Sequence, residues 1–125
     1  MVQAPGIKEL VFMKKPKVLI SILNWNDEES SLACISSVKN QVYDNYDIIL
    51  IDNASKLELK SPDVLKDNIK VIQNDQNLGY AGGHAIAAKY AMVNNYDLLW
   101  ILNNDTIVHN NSLQAIVKKW ETSPR

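Results

Sequence analysis

Short apolar runs and polar clusters alternate along this chain. Lys17 to Leu23 (KVLISIL), Asp47 to Ile51 (DIILI), Ile69 to Ile72 and Asp97 to Leu102 (DLLWIL) are rich in branched residues and lack clean polar alternation. That pattern predicts strands buried on both faces. Helical segments fall between them. Asn26 offers an N-cap, with Glu29 as its box partner, for a helix running to about Gln41. Ser61-Pro62 opens a short helix to about Lys66. Gly82 to about Asn94 is an alanine-rich helix, and Ser112 caps a last one to about Glu121. In that last helix Leu113, Ile116, Val117 and Trp120 share one face. Residues 1–16 carry no clear period and read as a leader or edge segment.

Strands separated by helices predict an α/β fold: a mostly parallel sheet with helices on both faces. Right-handed crossovers place all strand C-termini on one edge, where such sheets bind ligands. Four polar clusters fall there: Asn24 to Asp27, Asp52 to Ser55, Asn74 to Gly83, and Asn103 to Asp105. Together they point to a polar ligand. No internal repeat or low-complexity segment is visible.

Length allows one domain with a real core, since the chain has 125 residues. A net charge of −1 offers no basic field for nucleic acid. The single cysteine, Cys34, has no partner for an internal disulfide and reads as a buried small hydrophobe. No apolar run is long enough to span a bilayer, and the N-terminus lacks a signal-peptide plan. The expected location is the cytoplasm, either in solution or at the inner face of the membrane.

Each cluster has a chemical and a plain reading. Asn103-Asn104-Asp105 ends an apolar run in short oxygen-bearing side chains, which suit a hard cation such as Mg²⁺ or Mn²⁺. A polar turn that caps a strand would use the same residues. Trp25 either stacks on a flat base or fills the core under the first helix. Asp27, Glu28 and Glu29 read as first-turn acids that complement the helix dipole. Asp52 either meets a ribose or base or closes an Asx turn. The glycines of Asn77-Leu78-Gly79-Tyr80-Ala81-Gly82-Gly83 suit an anion at a helix start or close helix-to-sheet packing. Their spacing fits neither the dinucleotide fingerprint nor a P-loop. His84 and His109 have no zinc spacing and read as surface or lightly packed residues.

The succession VLISILNWN, IILIDNAS, NDQNLGYAGG and WILNNDT resembles the donor-binding half of family 2 glycosyltransferases, whose fold is called GT-A. The resemblance runs from about Lys17 to about Trp120 and is strongest to the rhamnosyltransferase-like branch. It implies that Leu23, Asn24 and Trp25 flank the base of a nucleotide-diphospho-sugar, and that Asp52 contacts base or ribose. It also implies that Asn77 and Gly79 lie along the nucleotide. Asp105 matches the final aspartate of the D-x-D motif, a ligand for Mg²⁺ or Mn²⁺. Asn103 replaces the first aspartate, so the site loses one negative charge and metal affinity without nucleotide should be weak. Thr106 follows as in that branch. The family's polar pair after the glycine turn is missing here, where His84, Ala85 and Ala87 stand.

The implied reaction is transfer of the sugar to a hydroxyl, with inversion. A carboxylate base is expected from the acceptor half, and Glu121 is the only carboxylate after Asp105. Residues 17–125 are therefore expected to be a donor-binding half, truncated before the acceptor site and inactive alone. Its acceptor would be a saccharide or a lipid-linked one. An open sheet edge would favour a homodimer. Three alternatives use similar elements. A non-catalytic nucleotide-binding module needs the same contacts. A receiver-like signalling domain needs an acidic pair after strand one, where Asn24-Trp25-Asn26 stand. A sugar nucleotidyltransferase needs a basic glycine-rich loop there, which is absent.

Overall fold

The computed structural model describes residues 15–59 and 69–123. The short helix expected at Ser61 to Lys66, and all of the expected leader except Lys15 and Pro16, lie outside the described residues. Among the described residues seven elements follow in order: β1 (Val18–Asn24), α1 (Glu28–Val38), β2 (Tyr46–Asp52), β3 (Ile69–Gln73), α2 (Gly79–Val93), β4 (Leu98–Asn103) and α3 (Ser112–Thr122). The four strands form one sheet in the order β3-β2-β1-β4, and every pair is parallel.

This order positions the site. From β1 the chain crosses to β2 on one side, and from β3 it returns to β4 on the other. Right-handed crossovers in opposite directions must put their helices on opposite faces. Accordingly α1 packs with α3 over Val18, Ile20, Ile22, Ile48 and Leu50. Helix α2 covers Leu19, Ile49 and Ile51 with Ala87 and Ala91. Val18, Leu19, Ile20 and Ile22 of the central strand are all but fully buried. Burying each such side chain contributes about 1.5–3 kcal/mol. The reversal leaves a crevice between the carboxyl ends of β1 and β4, the topological switch point at which such sheets bind ligands.

Several boundaries differ from the sequence expectation. Helix α1 is capped by Asp27, not Asn26; the Asp27 carboxylate accepts from Ser30 N at 3.2 Å. Asn26 takes φ 54° instead, a left-handed conformation that asparagine tolerates better than most residues. Helix α1 stops at Val38, three residues short of Gln41. Helix α2 begins at Gly79, so Gly82 and Gly83 lie in its first turns. A Cβ on Gly83 would stand 2.4 Å from Leu23 Cδ1, so this glycine lets helix and strand approach. Ser112 is not the cap of α3. Asn111 precedes the helix and gives no side-chain bond. On the apolar face of α3, Leu113 and Val117 are buried while Ile116 is 40 % exposed. Among the described residues no helix is long and apolar enough to cross a membrane.

Gln41 does the capping that Ser112 was expected to do. Its Oε1 accepts from Leu113 N at 2.9 Å, and its Nε2 donates to His109 O at 2.7 Å. A buried amide therefore satisfies orphan backbone groups at the start of α3 from 72 residues away in sequence. Gln41→Ala leaves both groups without that partner. It is expected to destabilise the fold by about 1–3 kcal/mol in urea unfolding.

Candidate functional site

The carboxyl ends of β1 and β2 are joined by a buried polar network. Asn24 and Asp52 face each other in the parallel register. Asn24 Nδ2 donates to Asp52 Oδ1 at 2.8 Å, and Asn24 Oδ1 accepts from Ser31 Oγ at 2.6 Å. The Ser55 hydroxyl donates to Asp52 Oδ1 at 2.6 Å, and Ser55 N donates to Oδ2 at 3.1 Å. Asp52 is only 3 % exposed. Its carboxylate is an acceptor for its own turn and for the neighbouring strand, as in the Asx-turn reading, and it does not line the crevice. Ser55 Oγ also accepts from Asn26 N, and Asn26 Oδ1 accepts from Lys56 N, each at 2.8 Å. The two post-strand loops are thereby stitched together.

Asn53 extends the network to α2. Its Oδ1 accepts from Asn74 Nδ2 at 2.9 Å and Leu78 N at 3.2 Å, and its Nδ2 donates to Gly79 O at 3.0 Å. Asn77 Oδ1 accepts from Gly79 N at 2.8 Å, across a turn in which Gly79 has φ 76°. That positive φ is the reason for glycine at this position. Asn77 and Gly79 thus build the entry to α2, and their side of the turn is exposed.

The crevice between β1 and β4 is a cleft of about 310 Å³ lined by Leu23, Trp25, Asp27, Tyr80, Asn103, Asn104 and Asp105. Four of the sequence-assigned residues meet here: Leu23, Trp25, Asn103 and Asp105. Trp25 is 56 % exposed, which removes its reading as a core aromatic. Asn24 lines a separate hollow of about 500 Å³ with Asn26, Asp27, Glu28, Ser55, Lys56, Leu57 and Leu59. Asn104 belongs to the cluster read in the sequence as suiting a cation, whereas Asp27 and Tyr80, though within the polar clusters, carry no ligand role of their own in that reading. Asn104 is held by its Nδ2, which donates to Ser31 Oγ at 3.1 Å and Asp27 O at 3.4 Å. Tyr80 could have been found from its place within the glycine turn.

Electrostatics beneath the cleft are set by Asp105 and by burial. Cys34 is fully buried, and its Sγ lies 3.7 Å from Asn103 O. Burial, and then the negative charge of Asp105, push its thiol up to about 11. Cys34 is therefore inert, in line with its sequence reading. His109 is exposed, and its Nδ1 accepts from Asn111 N at 3.2 Å. His84 departs from expectation: it is 3 % exposed, with Nδ1 2.8 Å from Ser21 Oγ. Among the described residues no three histidine, cysteine or acidic side chains cluster to hold a metal on their own. The cleft offers hard oxygen donors from Asp105, Asp27, Asn103 and Asn104. That set fits Mg²⁺ or Mn²⁺, which bind through one or two carboxylates when substrate phosphates complete the shell.

Residues 19–125 match the Glycosyl transferase family 2 model. The chain belongs to this family. A mannosyltransferase of the same general architecture, PcManGT from Pyrobaculum calidifontis in complex with GDP-Man and Mn²⁺, superposes with TM-score 0.73 at 16% identity. The superposition covers 89% of this chain and 34% of that one. S. aureus TarS 1-349 in complex with UDP-GlcNAc gives TM-score 0.71 at 17% identity, covering 84% of this chain and 31% of that one. A further S. aureus TarS structure gives TM-score 0.64 at 16% identity over 84% of this chain and 19% of that one. A comparison with curated proteins finds no match. The likeness shows the α/β fold of GT-A type, and the chain spans about a third of the length of PcManGT.

Because Asp52 serves the strand ends, its loss should register as instability. Asp52→Ala removes the acceptor of three bonds from buried or half-buried donors. It is expected to cost about 2–3 kcal/mol in chemical unfolding, from the strength of hydrogen bonds to charged groups. An unchanged unfolding midpoint would show that the network is not structural.

Proposed function

We propose that this family 2 chain binds the nucleotide-diphosphate sugar donor of a glycosyltransferase and holds it at the β1–β4 switch point. The observation that carries the reading is the cleft itself. It brings an exposed tryptophan from the end of β1 and an exposed carboxylate from the end of β4 to one crevice. A flat base stacks on an indole face, and a diphosphate needs a cation that a carboxylate can share. PcManGT with GDP-Man and Mn²⁺, and TarS with UDP-GlcNAc, support this class of ligand.

In this reading Trp25 and Leu23 flank the base. Asp105, aided by Asn103, holds Mg²⁺ or Mn²⁺ with the phosphates. The cation, when bound, offsets charge on the departing diphosphate. Asn24 and Asp52 act from below, by fixing the strand ends on which those residues stand. Transfer proceeds with inversion to a saccharide or lipid-linked hydroxyl. The general base and acceptor site come from the acceptor half, so residues 17–125 bind donor without transferring sugar. We place the reaction in the cytoplasm, at the membrane's inner face where the acceptor is a lipid. The β4 edge carries no charged residue from Leu98 to Asn103, which supports pairing with a further strand, including that of a second copy.

The test is thermal unfolding with UDP, dTDP and GDP, each with and without Mn²⁺. A ligand of the folded state at 100 times its Kd stabilises by about 2.7 kcal/mol. At least one nucleotide is expected to raise the melting temperature, more so with Mn²⁺. Asp105→Ala is expected to abolish the Mn²⁺-dependent increment while leaving the apo melting temperature nearly unchanged, because Asp105 is exposed. No shift with any nucleotide at millimolar concentration would reject the donor reading. A full Mn²⁺ increment in Asp105→Ala would reject the metal assignment alone.

A further inference from the structure

Ser21 interrupts the apolar run Val18 to Leu23 of the central strand, and its side chain is fully buried. Its partner is His84, one turn into α2, at 2.8 Å through Nδ1. A neutral imidazole satisfies that bond in either tautomer, since the hydroxyl can donate to a bare Nδ1 or accept from Nδ1–H. The other nitrogen, Nε2, is buried with no hydrogen-bond partner among the described residues. The ring sits edge-on to Tyr80, with centroids 4.6 Å apart and planes at 71°. Tyr80 and Leu23 both line the cleft, and Leu23 packs directly on Gly83, the residue before His84. The polar pin between β1 and α2 thus lies one side chain behind the cleft wall.

We propose that His84 is a positioning residue of the donor cleft: bonded to Ser21, it seats the first turns of α2 on β1 and holds the Tyr80 ring in the cleft wall. The inference rests on the donor reading for what the cleft binds, while the seating of Tyr80 stands apart from any ligand. A buried polar pair in an apolar layer fixes one arrangement of helix on strand, where apolar contacts alone would permit sliding. Only the neutral ring fits. An imidazolium would bury a net charge together with an Nε2–H that has no acceptor among the described residues.

The groups around the ring leave its charge uncompensated. Strand β1 presents Ser21 and Leu23, and α2 presents Tyr80 as the titratable neighbour; among the described residues no carboxylate or ammonium shapes the proton affinity of His84. Burial alone lowers it below the ordinary 6.5. The unfolded chain therefore takes the proton first as pH falls. The stabilising contribution is complete above about pH 6.5 and is lost below it, toward the lower folded value.

The experiment has two arms on the full chain. In the first, NMR follows the His84 imidazole and the Tyr80 ring from pH 8 to pH 5 without nucleotide. The Tyr80 signals are expected to titrate with the His84 midpoint in wild type and to stay flat in His84→Asn, whose amide keeps a neutral partner for Ser21. In the second, the affinity for UDP, dTDP and GDP with Mn²⁺ is compared at pH 7.5 and pH 5.5. His84→Leu is expected to weaken the bound nucleotide roughly tenfold at pH 7.5, and His84→Asn to retain affinity. The ratio of affinities at the two pH values is expected to be smaller in His84→Asn than in wild type. Tyr80 signals indifferent to His84 would overturn the proposal whether or not a nucleotide binds. So would a folded His84→Leu protein with wild-type affinity. Absence of binding in wild type rejects only the donor reading, and the first arm then decides the role of His84.

Discussion

The hydrogen bond from Asn24 to Asp52, made between the last residues of two neighbouring parallel strands, is the constraint on which the functional edge depends. Parallel strands end with their polar groups side by side, and a buried amide and carboxylate need partners. Here they supply one another, and Ser31 and Ser55 satisfy what remains. From that bond the network spreads to the start of α1, to the loop after β2, and through Asn53 to the start of α2. Three loops with little apolar content are held by it as one surface.

That surface gives the cleft its division of labour. Buried polar residues set positions, and exposed ones face the crevice. Asn24, Asp52 and Asn53 belong to the first group; Trp25, Tyr80 and Asp105 belong to the second. Asn104 connects them, because its amide reaches the Ser31 hydroxyl that also serves Asn24. The strand ends are thereby tied to the β4 turn through Asn104, which lines the cleft and bonds to Ser31 and Asp27. With amides at Asn103 and Asn104, Asp105 is the carboxylate on that turn. Its charge still reaches the buried thiol of Cys34 beneath it.

Much of the fold was legible because the physics that forms it is local. Undivided apolar runs such as VLISIL and DIILI mark strands covered on both faces, and the helices between them force parallel pairing. Strand ends were misplaced by one residue, since Asn24, Asp52 and Asn103 continue the ladder despite their polarity. Helix caps were less legible. Asn26 and Asp27 are equally good caps in sequence, and the choice fell to Asp27 because Asn26 was needed to bind the β2 loop. Gln41 as the cap of α3, and His84 as a buried pin, had no local signal at all. Each depends on a partner more than 60 residues away.

The sequence by itself determined the α/β class, the strand cores, the clustering of polar residues on one edge, and the resemblance that named the family. These follow from periodicity and from residue types in order, which survive without coordinates. Only the tertiary structure decided which of those polar residues face the crevice and which support the others. Asp52 and Asp105 are the same side chain at the same kind of position. One lies on an inner strand beside Asn24 and is consumed by its neighbours, while the other follows a strand at the edge of the described sheet and stays open to the cleft. Burial is a property of the packed whole, and no local pattern around either aspartate encodes it.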